Sequence, residues 1–447
     1  MGRLFGTDGV RGVANADLTA DLALSLSGAA VSVLTRAGGP ARSRPLVVVG
    51  RDTRPSGEFL EAAVTAGLAA AGADVLRMGV VPTPAVAFGI VAAAADLGVV
   101  LSASHNAMPD NGIKLFAGGG FKLPDELEDQ IEAHLGQMWD RPTGAGVGRI
   151  RDEPALLDRY EQHLLDAVPT RLDGLRVAVD CAEGAVSSIA PQVLRRAGAQ
   201  VIPLFSDGNG MCINQACGAT HLEPLRKSVA QDGLDAGIAF DGDADRCLAV
   251  DEAGNVVDGD QILAISAVAM RERGALAHDT VVTTVMANLG FKQAMQARGI
   301  RVVETSVGDR YVLEAMREGG FQLGGEQSGH VIYLDHATTG DGLLTALQLL
   351  SRVAETGQPL AELAAVMIRL PQVLVNVRVK EKHRLADDPR VLAALAQAER
   401  KLGDSGRVLL RPSGTEPLVR VMVEAGDRGV ARDTAEQLAT AVGQALH

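Results

Sequence analysis

The run Leu97-Gly98-Val99-Val100-Leu101-Ser102-Ala103-Ser104-His105-Asn106, with Asp110-Asn111-Gly112-Ile113-Lys114 close behind it, decides how this chain is read. Its first five residues are short, apolar and valine-rich, the pattern of a strand buried on both faces, as in a parallel sheet covered by helices. Such sheets bind ligands at the carboxyl ends of their strands. Two serines, a histidine, an asparagine and a lysine are therefore delivered to a working surface. From these residues alone, a polar turn that ties up backbone groups explains the loop as well as a phosphoryl-carrying serine does. Ser102 and Ser104 are equal candidates for that serine.

Outward from this loop an α/β rhythm continues. A helix is expected over 20–36, a strand over 45–49, a helix over 57–71 and a strand around Val75. A helix over 124–135 carries Leu127, Ile131 and Leu135 at helical spacing, and the Gly-rich stretch 141–148 after it reads as a linker. The second unit has a helix over 155–168, a strand over 175–179, a helix over 186–197 and strands over 200–205 and 236–240. The third repeats the pattern with a helix over 260–273, a strand over 280–285, a helix over 290–298 and a strand over 301–304. After Leu370-Pro371 the order changes to strand 372–379, helix 391–402, short strands around Leu409 and Val421, and a closing helix over 431–446. The expected architecture is three similar mixed α/β domains, at 1–150, 151–257 and 258–370, and a smaller C-terminal α+β domain at 371–447.

The 447 residues suffice for several cores. A formal charge of −13 disfavours nucleic acid and anionic membranes as partners, and an anionic substrate would then need local arginines. Cys181, Cys212, Cys217 and Cys247 show no CxxC spacing, which suits a reducing cytoplasm. The start has no signal-peptide core, and Gly6 stands where a myristoylation motif needs Ser or Thr. The most apolar stretch, 80–101, is broken by Pro82, Pro84 and Asp96, so no membrane span is expected. The cytoplasm is the expected location.

Three more loops carry chemistry. Asp241-Gly242-Asp243-Ala244-Asp245-Arg246 follows an apolar strand and offers carboxylates at alternating positions, a donor set of oxygens that suits Mg²⁺. An EF-hand is the competing reading. It fails because Arg246 replaces the required glycine and because strands, with a hairpin at Ala253-Gly254-Asn255, flank the loop. Glu326-Gln327-Ser328-Gly329-His330 follows another strand end and offers the groups a polyhydroxy ligand needs. Arg411-Pro412-Ser413-Gly414-Thr415-Glu416-Pro417, with Arg420 beyond it, forms an anion cradle without the lysine of a P-loop. Near the amino terminus Arg11 is placed to steady a phosphorylated serine, while Arg51 and Arg54 pair equally well with Asp52 or Asp8.

Taken in order, these loops resemble the α-D-phosphohexomutase superfamily over nearly the whole chain. FGTDGVRG at 5–12, SASHN at 102–106, CGATH at 217–221, VGDRYV at 307–312 and GEQSGH at 325–330 are similar to the branch that interconverts glucosamine phosphates. Gln327 stands where relatives acting on glucose or mannose phosphates often have methionine. The resemblance implies a central active-site cleft to which each of the four domains contributes one loop. It implies Ser104 as the phosphoryl carrier and one Mg²⁺ on Asp241, Asp243 and Asp245, with Ser104 completing its ligands. Glucosamine 6-phosphate and glucosamine 1-phosphate would then interconvert through a 1,6-bisphosphate, which also serves as activator, on the route to UDP-N-acetylglucosamine and cell-wall precursors.

By the same resemblance Lys114 is the proton shuttle, and Glu326 and Ser328 hold sugar hydroxyls. Arg411, Ser413, Gly414, Thr415 and Arg420 grip the phosphate that is not reacting. Arg11, His105, Arg246 and His330 line the reaction centre. The partner implied is a phosphosugar, and a homodimer is compatible with this reading. Two positions depart from the family: Ala107 stands where proline usually follows HN, and Glu183 where DCANGA has asparagine. Rival readings are a phosphoglucomutase or phosphomannomutase, a noncatalytic sugar-phosphate or metal-binding protein, and a Mg²⁺-dependent phosphatase.

Overall fold

The computed structural model describes residues 3–6, 8–36, 44–137, 141–413 and 416–447. Among the described residues four sheets form. The first contains β1 (Val10–Val13), β2 (Leu46–Arg51), β3 (Asp74–Val80), β4 (Leu97–Leu101), β5 (Asp110–Ala117) and β6 (Ile150–Asp152), in the order β1-β5-β4-β2-β3-β6. Strands β2, β3, β4 and β6 run parallel, whereas β5 returns antiparallel to β4 and pairs with β1. Alternation divides the sheet's side chains between two layers. Val47, Val49, Val99 and Leu101 pack with Leu26, Leu60, Val64 and Leu68 of the helices Ala20–Arg36 and Ser56–Ala70. On the other face Gly98 lets Ile90 of the helix Thr83–Ala93 approach the backbone. That helix fills the stretch whose prolines exclude a membrane span. Pro84 sits in its first turn, where its missing N–H costs nothing.

The second sheet contains β7 (Arg176–Asp180), β8 (Gln200–Leu204), β9 (Ala236–Phe240), β10 (Cys247–Asp251) and β11 (Val256–Val257), ordered β11-β10-β9-β7-β8. The third contains β12 (Thr280–Thr284), β13 (Arg301–Thr305), β14 (Leu323–Gly325) and β15 (Val331–Tyr333), ordered β13-β12-β14-β15. One device recurs in all three sheets. A parallel strand ends, a short loop follows, and an antiparallel strand returns: β4 to β5, β9 to β10, β14 to β15. The serine, triple-aspartate and GEQSGH loops are these three connections.

The fourth sheet is antiparallel, with β16 (Gln372–Arg378), β17 (Gly406–Pro412) and β18 (Leu418–Ala425) ordered β16-β18-β17. Val419, Val421 and Val423 of its central strand share a core with Val391 and Leu402 of the helix Pro389–Leu402 and Leu438 and Val442 of the helix Arg428–Ala445. The fold is thus three mixed α/β layers and a smaller α+β domain. By contacts the chain divides into one compact unit of Met1–Met286 with Ile300–Val366 and another of Ala287–Gly299 with Met367–His447. The helix Leu289–Ala297, expected as part of the third α/β pattern, belongs to the second of these units. Glu424 ties it there by accepting the Leu289 N–H at 2.9 Å while pairing with Arg407 at 2.6 Å. No helix among the described residues is long and apolar enough to cross a membrane.

Candidate active site

Ser104 and Ser102 leave the end of β4 side by side, and the structure gives them different partners. The Ser102 hydroxyl donates to Asp52 at 2.6 Å and accepts the Ser104 N–H at 2.9 Å. The Ser104 hydroxyl instead donates to Asp241 across the gap between the first and second sheets, at 2.5 Å. His105 Nδ1 lies 3.3 Å from the same oxygen. Ser104 has φ +52°, a left-handed conformation that costs a non-glycine residue ~1–2 kcal/mol and that clusters at functional sites. Gly242 of the aspartate loop sits so close that a Cβ there would fall 2.6 Å from the Ser104 carbonyl oxygen, so glycine alone permits this approach.

Asp241, Asp243 and Asp245 each turn one carboxylate oxygen to a common point, all within 4.8 Å of one another and all buried. The alternating positions converge because Ala244 takes φ +53°, bending the loop between β9 and β10. Burial, and then repulsion from Asp245 and Asp243, pushes the Asp241 carboxyl well above its ordinary range. Asp243 Oδ1 and Asp245 Oδ1 are buried without a hydrogen-bond partner among the described residues. Crowded carboxylates with unused oxygens fit a hard divalent cation, since oxygen donors are what Mg²⁺ selects. Thr83 fixes Asp243 from the first domain, its hydroxyl donating to Oδ2 at 2.6 Å.

Lys114 reaches the triad from β5, 2.7 Å from Asp243 and 2.9 Å from Asp8. Burial alone would lower this ammonium, but Asp243, Asp8 and Asp245 outweigh it and hold the lysine well above its usual range. Asp8 also pairs with Arg11 and Lys122. Burial would raise its carboxyl, and Lys114, Lys122 and Arg11 reverse the direction, keeping it well below the carboxylate range. Lys122 goes on to Asp309 at 2.5 Å, and His330 Nε2 stands 3.6 Å from Asp309. His330 accepts the Gly340 N–H at Nε2, which puts its proton on Nδ1, 3.8 Å from Asp245. Burial, then Arg246 and Arg11, lowers His105.

Of the remaining expected residues, Arg246 donates its backbone N–H to Asp241 at 3.2 Å. Glu326 accepts the Gly308 N–H at 3.1 Å, and the buried Ser328 hydroxyl has no hydrogen-bond partner among the described residues. Gln327 turns its amide to Asp260 at 3.1 Å. Arg54 settles the choice left open among the N-terminal cations: it pairs with Asp52 at 2.9 Å, while Arg51 pairs with Glu61 and Arg11 with Asp8. In the C-terminal unit Arg411 and Arg420 are direct cross-strand partners, so both guanidinium groups leave one face of the β17–β18 hairpin. Ser413 lies at its tip, where Lys382 donates to its carbonyl at 2.8 Å. Gly414 and Thr415 lie outside the described residues.

Sequence reading missed Asn214, Lys122, Asp309, Thr83 and Lys382. Their partners lie far away in the chain, and VGDRYV alone hinted at Asp309.

The chain matches models of the phosphoglucomutase/phosphomannomutase family in order: alpha/beta/alpha domain I at residues 2–138, domain II at 157–254, domain III at 258–370 and the C-terminal domain at 374–441. It is 69% identical to a phosphoglucosamine mutase of Frankia alni over 451 aligned positions, covering 100% of this chain and 99% of that one. A phosphoglucosamine mutase of Streptomyces griseus is 63% identical, with both chains covered completely. Among solved structures, a phosphoglucomutase/phosphomannomutase family protein of Burkholderia thailandensis superposes with a TM-score of 0.84 at 25% identity, over 99% of this chain and 97% of that one. End-to-end identity of this order, on a fold that sets its loops at the same three sheet connections, means that the chain belongs to the phosphoglucosamine mutase family of phosphohexomutases.

Proposed function

We propose that the chain interconverts glucosamine 6-phosphate and glucosamine 1-phosphate, with Ser104 as phosphoryl carrier. The observation that carries this reading is the Ser104 hydroxyl, 2.5 Å from Asp241 within a buried cluster of three carboxylates. The phosphoryl group on Ser104 passes to the sugar's O1: the Oγ–P bond breaks, the O1–P bond forms, the Lys114 ammonium gives a proton to the departing Oγ, and the O1 proton replaces it on Lys114. The 1,6-bisphosphate then turns over, the O6–P bond breaks as the Oγ–P bond re-forms on Ser104, and the same lysine gives O6 a proton and takes the one that leaves Oγ. Glucosamine 1-phosphate leaves with no net loss of phosphate. One Mg²⁺ held by Asp241, Asp243, Asp245 and the phosphorylated Ser104 would supply charge neutralisation at the transferring group.

The other residues position and neutralise. Arg11, His105, Arg246 and His330 surround the reacting phosphoryl group, where preorganised charge does most of the work in such transfers. Glu326 and Ser328 hold sugar hydroxyls, which suits a Ser328 hydroxyl buried without a partner among the described residues. The Arg411 and Arg420 pair, with Ser413, Gly414 and Thr415, grips the second phosphate. The four domains are proposed at 1–150, 151–257, 258–370 and 371–447. The working location is the cytoplasm, and a homodimer is the proposed assembly.

The test is turnover of glucosamine 6-phosphate against glucose 6-phosphate, with Mg²⁺ and a sugar 1,6-bisphosphate present. Preference for the glucosamine ester is expected, and a strong preference for glucose would reassign the branch. Intact-protein mass spectrometry should find one phosphoryl group, lost in Ser104→Ala. Steady release of inorganic phosphate would identify a phosphatase instead.

A further inference from the structure

We propose that Arg54, seconded by Asn214, is a positioning residue that holds the carrier serine in its reactive conformation by gathering the carbonyl groups of the serine loop. Arg54 is fully buried at the end of β2. Its guanidinium donates to the carbonyl oxygens of Ser104 at 3.1 Å, Asn106 at 2.8 Å, Ala107 at 2.5 Å and Asp110 at 2.9 Å. Its Nε donates to Asp52 at 2.9 Å, which balances the buried charge. Five donors in a rigid planar fork satisfy this set, and a lysine with three cannot.

The clamp reaches Ser104 from both sides. Arg54 holds the carbonyl after it, and Asp52 holds the Ser102 hydroxyl that accepts the Ser104 N–H. Both peptide groups of Ser104 are thereby fixed, and with them its left-handed φ and the aim of its hydroxyl at Asp241. From the second domain, Asn214 donates to the Ser104 and Asn106 carbonyls at 2.9 and 3.0 Å. Loop and metal-binding domain are thus registered on the same two oxygens. Neither side chain touches a reacting atom in the scheme above. The inference rests on Ser104 being the phosphoryl carrier.

The test compares wild type, Arg54→Lys and Asn214→Ala in the full chain with Mg²⁺. Arg54→Lys is expected to lower kcat roughly 10–100-fold, the range for lost outer-sphere support or a displacement of about 1 Å, at a KM unchanged within about twofold. Its phosphoserine, loaded with glucose 1,6-bisphosphate and followed by intact mass without substrate, should lose phosphate to water at a changed rate. A structural role alone would lower the folded fraction, and with it the apparent kcat at unchanged KM, but would not move the phosphoserine loss rate of the folded enzyme. Asn214→Ala should show the same signature at a few-fold and carries the test if Arg54→Lys does not fold. Normal kcat and normal phosphoserine lifetime in the folded variants overturn the proposal. Absence of phosphate from wild-type Ser104 overturns the carrier reading itself, a distinguishable result.

Discussion

Ala107 is exposed, its φ is not positive, and its N–H donates to no group among the described residues, so proline would cost no hydrogen bond there. Its carbonyl, held by Arg54, is untouched by the change. Ala107→Pro should stabilise by ~0.4–1 kcal/mol through the unfolded chain, at unchanged turnover; a lower unfolding midpoint would show that the native backbone rejects proline. Glu183, the other departure from the family, sits at φ +52°, where asparagine is tolerated better, and its carboxylate compensates by accepting the Asn209 N–H at 2.8 Å. Asp341 shows how burial sets a pH dependence. It accepts the Leu344 N–H and the Tyr160 hydroxyl, both at 2.9 Å, and burial, moderated by these bonds, pushes its carboxyl up to about 6. A raised folded pKa favours the protonated form, so this contribution is full below pH ~4 and is lost as pH rises through about 6. Asp341→Asn keeps the helix cap and cannot ionise. Its stability relative to wild type should therefore rise between pH 4.5 and 7, by at most ~1.4 kcal/mol per pH unit, and a flat difference in unfolding midpoints would contradict the assignment.

The strands that position the site were readable because short apolar runs such as 97–101 and 236–240 mean the same thing locally and in the fold. The helix Thr83–Ala93 was not, because it is apolar on every side and so has no helical period to detect. Arg54 was legible as a cation and illegible as a clamp, since backbone carbonyls some fifty residues away carry no side-chain signature. Ser102 and Ser104, equal from residues alone, differ in the structure by their partners, since one hydroxyl meets Asp52 and the other meets Asp241. The helix Leu289–Ala297 was found, yet its membership in the C-terminal unit rests on contacts far along the chain, among them the buried Glu424 carboxylate. Glu424→Ala would leave Arg407 and the Leu289 N–H without that partner, at a cost of ~3–5 kcal/mol. Hydrogen exchange should show 289–297 opening faster in this variant, and protection equal to wild type would mean that the helix is held by its apolar face instead.

Across the three α/β domains, the loops that meet at Ser104 are joined by charge as well as by packing. Lys122 links Asp8 to Asp309, and Lys114 links Asp8 to Asp243, so β5 and the strand end after it connect the aspartate loop with the third domain's helix Asp309–Gly319. The negative side of this network exceeds what those lysines neutralise. Burial first, and then repulsion between unit charges about 4–5 Å apart, roughly 3–4 kcal/mol per pair at an effective dielectric constant near 20, displaces Asp241 upward. Two consequences of opposite sign follow for Asp241→Asn. Without metal the substitution removes one charge from the cluster, while its amide can still accept the Arg246 N–H through oxygen and donate to the Ser104 hydroxyl. Its thermal midpoint in EDTA should equal or exceed that of wild type. With Mg²⁺ the wild type should gain about 2.7 kcal/mol at a hundredfold excess over Kd, and the variant should gain little. Turnover should fall by about 10²–10³-fold or more, as when preorganised charge is removed from a transfer site. A wild-type midpoint indifferent to Mg²⁺ would remove the metal from the aspartate loop. A variant much less stable than wild type in EDTA would show instead that the Asp241 charge stabilises the fold, and that the three carboxylates are already balanced by Lys114 and Arg246.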